Sequence, residues 1–315
     1  MKTNLKIINT DSRNLSRKIS KESVHFIVTS PPYWNLRNYG YDDQIGFKQS
    51  YEDYLKDMKK VFKECFKVLK QGRFIAINIG TVVSNDGMKF ITGDFVKICE
   101  DIGFIFRKDI IWHKPKGQTK WQRGATQFSQ NPYPLKYNTN INHEFILVFQ
   151  KGDSLDIDLS NVKRFNKFFV RKNAYSVWDI SPVNSPKNDE KHVAPFPEEI
   201  PRRLITLFSF ENEIVLDPFA GCGTTNSVAL ELGRKTIAVE MSKDYCDLIK
   251  KRTKNVTLDQ SLMEIYDESE DYKEMLAKEN MDNLFNSYIK AKKKYEKILG
   301  DKEKAKYKNM ELFDD

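Results

Sequence analysis

The sequence predicts a doubly wound α/β fold around a mostly parallel sheet, with a basic insert and a C-terminal helical appendage. Short apolar runs alternate with segments of helical periodicity, as a sheet covered on both faces requires. Each run also ends in residues that turn the chain toward the next helix. A length of 315 residues suits one large domain with an appendage better than three domains.

Residues 4–9 read as a first strand ending at Thr10-Asp11-Ser12, and a short helix through Leu15 and Ile19 leads back to a buried strand at 24–28. That strand runs into Thr29-Ser30-Pro31-Pro32-Tyr33-Trp34. Neither proline can donate a ladder hydrogen bond, and each holds its predecessor extended, so a stiff corner forms at the strand's C-terminal end. Residues 35–46 are polar and glycine-containing, a candidate lid. Tyr54, Met58, Val61, Phe62, Cys65 and Leu69 follow helical spacing, with Gln71-Gly72 expected to stop the helix before a strand at 73–79. A helix over 90–102 ends at Gly103, and strands follow at 104–112 and 145–149.

Between those last strands, residues 114–142 contain no Asp or Glu but carry Lys114, Lys116, Lys120, Arg123 and Lys136. Interleaved are Trp121, Phe128, Tyr133 and Tyr137, with Gln122 among several amides. Cations for phosphates, amides for base edges and aromatics for stacking suit a nucleic-acid contact, and a solvated polar insert is the alternative. Residues 162–172, with Arg164, Lys167 and Arg171, read as a strand or hairpin and a second basic patch, or as an edge guarded by charge. Segments 114–142 and 151–190 are therefore the candidate recognition region. The net charge of +8 favours an anionic partner.

His192 precedes a helix expected over 198–208 and is read as fixing a loop, with a catalytic role as the alternative. A strand at 213–217 then enters Asp217-Pro218-Phe219-Ala220-Gly221-Cys222-Gly223-Thr224-Thr225. Glycines let this backbone turn sharply and approach a ligand, with a helix N-terminus behind. The next strand, 236–239, ends at Glu240, about 20 residues beyond Asp217, the placement of an acid that binds ribose hydroxyls. A pyrophosphate is not indicated, because no Gly-Lys-Ser/Thr triplet follows and the third glycine of the dinucleotide fingerprint is absent.

Four scattered cysteines form no C-x-x-C pair, and the four histidines do not cluster, which argues against structural zinc or a disulfide framework. No metal is expected. No apolar run is long enough to span a membrane and the N-terminus lacks a signal-peptide core, so a cytoplasmic protein is expected.

The Ser30-Pro31-Pro32-Tyr33 corner and the Asp217–Thr225 loop together resemble the β class of amino-methylating DNA methyltransferases, over roughly residues 4 to 253. The resemblance implies the S-adenosylmethionine-dependent methyltransferase fold in permuted order, S-adenosylmethionine as cofactor and double-stranded DNA as substrate. It implies that Asp11 faces the cofactor's adenine, although a helix-capping Asp is the plain local reading. It places the cofactor against Asp217, Phe219, Gly221, Gly223, Thr224, Thr225 and Glu240. The Ser form of the corner is most typical of cytosine-N4 enzymes, often partners of a restriction endonuclease.

An exocyclic amino nitrogen is a poor nucleophile because its lone pair is delocalised into the ring. The Ser30 oxygen and Pro31 carbonyl can accept its two hydrogens, Pro32 keeps the corner rigid, and Tyr33 can stack on a base flipped out of the duplex. Adenine-N6 methylation by the same machinery, RNA-base methylation, and a non-catalytic DNA-binding module with a retained cofactor fold are the rival readings. The catalytic domain is expected over 1–257. Residues 258–315 form the appendage, where Met281, Leu284, Phe285, Tyr288, Tyr295 and Leu299 predict an amphipathic helix. Its apolar stripe must pack on the catalytic sheet or on a second subunit of a homodimer.

Overall fold

Alternate residues of the central strands face opposite helical layers, which is why these strands read as continuous apolar runs. The computed structural model describes residues 4–35, 38, 43–84, 87–115, 133–135, 141–154, 162, 164–183 and 196–259. One compact unit comprises Met1–Val162 and Lys167–Met263. The second comprises Lys163–Asn166 and Glu264–Asp315, so the expected C-terminal helix lies outside the described residues.

The strands are β1 (Leu5–Asn9), β2 (Val24–Thr29), β3 (Leu69–Ile79), β4 (Val82–Ser84), β5 (Gly87–Lys89), β6 (Phe104–His113), β7 (His143–Lys151), β8 (Val177–Asp179), β9 (Ile214–Asp217) and β10 (Lys235–Glu240). The helices are a 3-10 turn (Ser12–Arg17), α1 (Tyr51–Val68), α2 (Ile91–Ile102), α3 (Lys167–Asn173), α4 (Glu199–Phe208), α5 (Thr224–Glu231) and α6 (Lys243–Thr253). Eight strands form one sheet in the order β1-β10-β9-β2-β3-β7-β6-β8. Neighbours from β1 to β3 are parallel, β7 runs antiparallel to both β3 and β6, and β8 is parallel to β6. The mostly parallel, doubly wound sheet is therefore present.

Ile27, Ile75, Ile77, Leu147 and Phe149 pack on one face with Tyr54, Met58 and Phe62 of α1 and Phe95 of α2. Phe26, Val28, Ala76, Ile146 and Val148 pack on the other with Leu204 and Ile205 of α4 and Val228 and Ala229 of α5. Most of these side chains are fully buried, each worth about 1.5–3 kcal/mol for a large aliphatic or aromatic group. The order matters for function: β2 and β9 are neighbours, so two stretches far apart in sequence finish side by side.

Two expectations need correction. Helix α1 stops at Val68, before Gln71-Gly72, and β3 begins at once with Leu69. Leu69 is buried and pairs with Val24, while Gly72, at φ +76°, sits where the β2–β3 register shifts, so the glycine serves a strand irregularity and not a helix stop. Residues 167–173 form a helix, not a strand or hairpin. Asn173 Nδ2 donates to the Phe169 carbonyl one turn back, and the basic Arg171 and Lys172 fall in the last turn, where the helix dipole favours them. The β4–β5 hairpin and the three-residue β8 were too short to carry a periodic signal. Among the described residues no helix is long and apolar enough to cross a membrane.

Candidate active site

The C-terminal ends of β1, β2, β9 and β10 lie along one edge of the sheet; Asp11 and Ser30 follow the first two, and Asp217 and Glu240 end the other two. Open α/β sheets bind ligands at this edge. A cleft there is lined by Asp11, Ser12, Arg13, Pro32, Phe219, Gly221, Cys222, Glu240, Met241, Ser242 and Tyr245, with Asp43, Gln44 and Ile45 closing one side. Part of the candidate lid at 35–46 lies outside the described residues, and its last part thus forms a wall of this cleft.

The cofactor loop is held from below. Asp217 is 1% exposed and accepts hydrogen bonds from the Thr29 hydroxyl at 2.7 Å and the Phe219 amide at 3.0 Å, tying the end of β2 to the start of the loop. The Ser12 hydroxyl donates to the Pro218 carbonyl. Glu240 accepts from the Gly221 and Ser242 amides, both at 2.9 Å, one on each carboxylate oxygen. This leaves further lone pairs on Glu240, and burial raises its pKa. Asp11 caps the 3-10 turn by accepting from the Arg13 amide, and its other oxygen takes the Arg13 guanidinium at 2.6 Å. The capping role and a place on the cleft wall thus coexist.

Of the predicted cofactor residues, Asp11, Phe219, Gly221 and Glu240 line the cleft, whereas Asp217, Gly223, Thr224 and Thr225 lie buried beside it. The two loop glycines differ in purpose. A Cβ on Gly223 would meet Ile249 Cγ1 at 3.0 Å, so this position serves close packing of α5 on α6. A Cβ on Gly221 would meet no protein atom within 4 Å and would stand in the cleft. Open backbone at Gly221 with an acid opposite fits a nucleoside-bearing cofactor. Arg13, Met241, Ser242 and Tyr245 were not foreseen; they lack any motif and reach the cleft only through the fold.

The Pro-Pro corner is braced from several sides. Tyr54 of α1 donates to the Pro32 carbonyl at 3.0 Å, and Trp34 Nε1 donates to the Gln49 carbonyl at 3.0 Å. Tyr33 donates its hydroxyl to Glu144 at 2.7 Å. Asn78, at the end of β3, places Nδ2 at 2.8 Å from Glu144 and 3.5 Å from the Ser30 oxygen. Lys114, which opens the insert, pairs with the same carboxylate and lies over the Trp112 ring. Asn78 was missed in the sequence because it is a lone polar residue on a buried strand, and Glu144 because it stands in the polar run Asn142-His143-Glu144 at the start of β7.

The recognition candidates Lys116, Lys120, Trp121, Gln122 and Arg123 lie outside the described residues, as does His192. The insert leaves β6 and returns at β7, with the Lys114 amide bonded to the Asn142 carbonyl at 2.7 Å across its neck. Since β6 points the same way as β2, the insert emerges at the edge that carries the cleft. Arg164 and Arg171 are exposed and Lys167 is half-buried, with Lys167 and Arg171 one turn apart on α3.

Burial pushes the Asp217 carboxyl up to about 6, against the lowering effect of the bonds it accepts from Thr29 and Phe219. A carboxyl raised in the folded state favours folding most below its unfolded value near 4, and that contribution disappears as pH rises through about 6. The stability difference between wild type and Asp217→Asn, measured by urea unfolding, should therefore shift toward wild type by on the order of 2 kcal/mol from about pH 7 to pH 4. A difference that stays flat across this window would show that Asp217 titrates normally.

A parallel sheet carrying a glycine loop, an acid at the end of the next strand and a rigid corner beside them defines the methyltransferase fold that uses S-adenosylmethionine. Residues 24–251 match the DNA methylase family model for N6 and N4 enzymes, and the chain belongs to that family. It is similar to the Type II methyltransferases M.MjaI of Methanocaldococcus jannaschii (31% identity over 283 residues, 79% of this chain and 91% of that protein) and M.SmaI of Serratia marcescens (28% over 278 residues, 78% and 90%). Among solved structures it resembles TTHA0409 of Thermus thermophilus complexed with S-adenosyl-L-methionine, with a TM-score of 0.63 at 28% identity over 79% of this chain and 92% of that one. The fold also matches that of the PvuII cytosine-N4-specific DNA methyltransferase, with a TM-score of 0.62 at 19% identity over 84% and 91%. The chain is thus a β-class DNA amino-methyltransferase whose cofactor is S-adenosylmethionine.

Proposed function

We propose that this protein methylates the exocyclic N4 of cytosine at a specific sequence in double-stranded DNA, as the modification arm of a restriction-modification system. The observation that carries the choice of base is Ser30, a neutral acceptor at the head of the corner where an acid would suit adenine. The restriction-modification setting is supported by similarity to relatives named as Type II methyltransferases.

Asp11, Phe219, Gly221 and Glu240 hold the cofactor, while Asp217, Gly223, Thr224 and Thr225 support the loop from beneath. Bound there, S-adenosylmethionine supplies an activated methyl group. The Ser30 oxygen and Pro31 carbonyl accept the two amino hydrogens and draw them out of the base plane, localising the nitrogen lone pair as it becomes tetrahedral, and the methylated nitrogen then sheds one proton to solvent. Tyr33 presents its ring to the flipped base, whose extrusion costs a few kcal/mol. Pro32, its carbonyl bonded to Tyr54, keeps the acceptors from relaxing. Positioning supplies the rest of the acceleration, and no covalent enzyme intermediate is required. Residues 1–257 constitute the catalytic domain, with recognition by segments 114–142 and 151–190, including Arg164, Lys167 and Arg171.

The test is to incubate the protein with plasmid DNA and labelled cofactor, digest to nucleosides and identify the product by mass spectrometry. N4-methylcytosine is expected. N6-methyladenine would overturn the base assignment, and no transfer to several varied DNAs would favour a binding module.

A further inference from the structure

Tyr33, Asn78 and Lys114 converge on one carboxylate that the transfer as derived from Ser30 and Pro31 does not use. Glu144 is 16% exposed, on β7 opposite Trp112. Its Oε2 accepts from the Tyr33 hydroxyl at 2.7 Å and from Asn78 Nδ2 at 2.8 Å, while its Oε1 faces Lys114. A carboxylate accepts only, so it forces the Asn78 amide to turn its nitrogen inward. That nitrogen then also faces the Ser30 oxygen, at 3.5 Å. Asn78 is 2% exposed and its Oδ1 has no hydrogen-bond partner among the described residues, so the amide is held in this sense by Glu144 and not by bonds at its other end. Close packing adds to the constraint: a Cβ on Gly80 would meet Glu144 Cγ at 3.0 Å and the Tyr33 ring at 3.4 Å.

We propose that Glu144 is a positioning residue for methyl transfer, which through Tyr33 and Asn78 fixes Ser30 as acceptor of the target's amino hydrogen. The inference rests on the reading of Ser30 as that acceptor. A serine hydroxyl is a free rotor and its lone pairs have no set direction. Asn78 engages one side of the oxygen, leaving a defined direction for the substrate. The same carboxylate anchors the Tyr33 hydroxyl, so acceptor and stacking ring are set by one group. Burial first, and then the charge of Glu144, push the Tyr33 phenol well above its ordinary value, keeping it a neutral donor. The Ser30 hydroxyl also bonds Tyr33, and because that phenol donates onward to Glu144, the bonds Ser30–Tyr33–Glu144 polarise one another and leave the serine oxygen a stronger acceptor. Lys114 balances that charge and is the residue from which the insert departs.

The test compares Glu144→Gln, Tyr33→Phe and the double variant in single-turnover methylation of DNA, with cofactor affinity from calorimetry and melting temperature measured alongside. Glu144→Gln should slow the transfer step about 10–100-fold, by analogy with the loss of an outer partner that orients a metal ligand, with cofactor affinity changed less than about twofold. In the Tyr33→Phe background the same substitution should cost clearly less, because the two residues act in one chain. Full rate in Glu144→Gln, purely additive losses, or a rate loss matched by lost cofactor affinity and melting temperature would overturn the proposal. Should Glu144→Gln not fold, Tyr33→Phe alone decides: an unchanged transfer rate overturns it. Ser30→Ala separates the two ideas, since full activity there would sink the acceptor reading itself, whereas loss there with full rate in Glu144→Gln sinks only the role of Glu144.

Discussion

Replacing Ser30 with alanine is expected to slow single-turnover methyl transfer by about 10²–10³-fold, the cost of removing one preorganised hydrogen-bonding group from a transition state. Cofactor affinity should change less than about twofold, because Ser30 closes β2 and does not line the cleft. The split between rate and affinity is what assigns the role. Losing an interaction made only as the nitrogen pyramidalises lowers the rate of the chemical step and leaves ground-state binding alone. Comparable losses in both quantities, by rapid quench and calorimetry, would mean that Ser30 merely shapes the site. Substitution by alanine removes one oxygen at a half-buried position and keeps both prolines, so the corner itself should persist.

Gly221→Val should abolish useful cofactor binding, weakening it by about 100-fold or more, equivalent to about 2.7 kcal/mol. A Cβ at Gly221 has no protein atom within 4 Å, so the valine side chain starts in the cleft, over the open backbone against which we place the cofactor. The backbone φ of +52° adds strain of about 1–2 kcal/mol for a residue with a Cβ, which appears as lower thermal stability. Gly223→Val behaves differently. Its Cβ would strike Ile249 at 3.0 Å, so folding should suffer before binding does. Calorimetric titration of both variants with S-adenosylmethionine, beside their melting curves, distinguishes them. Wild-type affinity in a folded Gly221→Val protein would remove Gly221 from the cofactor site.

The legible parts of the site were those where several residues must be contiguous. The corner at 30–33 and the loop at 217–225 are each set by local backbone demands, prolines that stop a strand and glycines that admit a ligand. Contiguity in the loop is not the same as lining the cleft: Thr224 and Thr225 belong to the loop yet are buried at the start of α5, beside the cleft and not on its wall. Glu144 and Asn78 show the opposite failure. Asn78 sits alone among apolar residues and Glu144 stands at a strand's polar start, and their meeting depends on β7 returning antiparallel beside β3, with Gly80 leaving room for Glu144 and Tyr33. The segment at 167–173 was misjudged because its alternation is weak and a seven-residue helix needs only a capping amide and favourable terminal charges.

By itself, the sequence determined the order of the longer strands and helices, the proline corner, the glycine loop and the acid at Glu240, because each follows from periodicity or from backbone geometry within a few residues. Only the tertiary structure decided which of those residues face the cleft and which hold the loop from beneath. It alone joined Tyr33, Asn78, Lys114 and Glu144 into one network. The physical reason is that hydrogen-bonding distance is set by strand order and register, and residues more than a hundred positions apart become neighbours only when the sheet has formed.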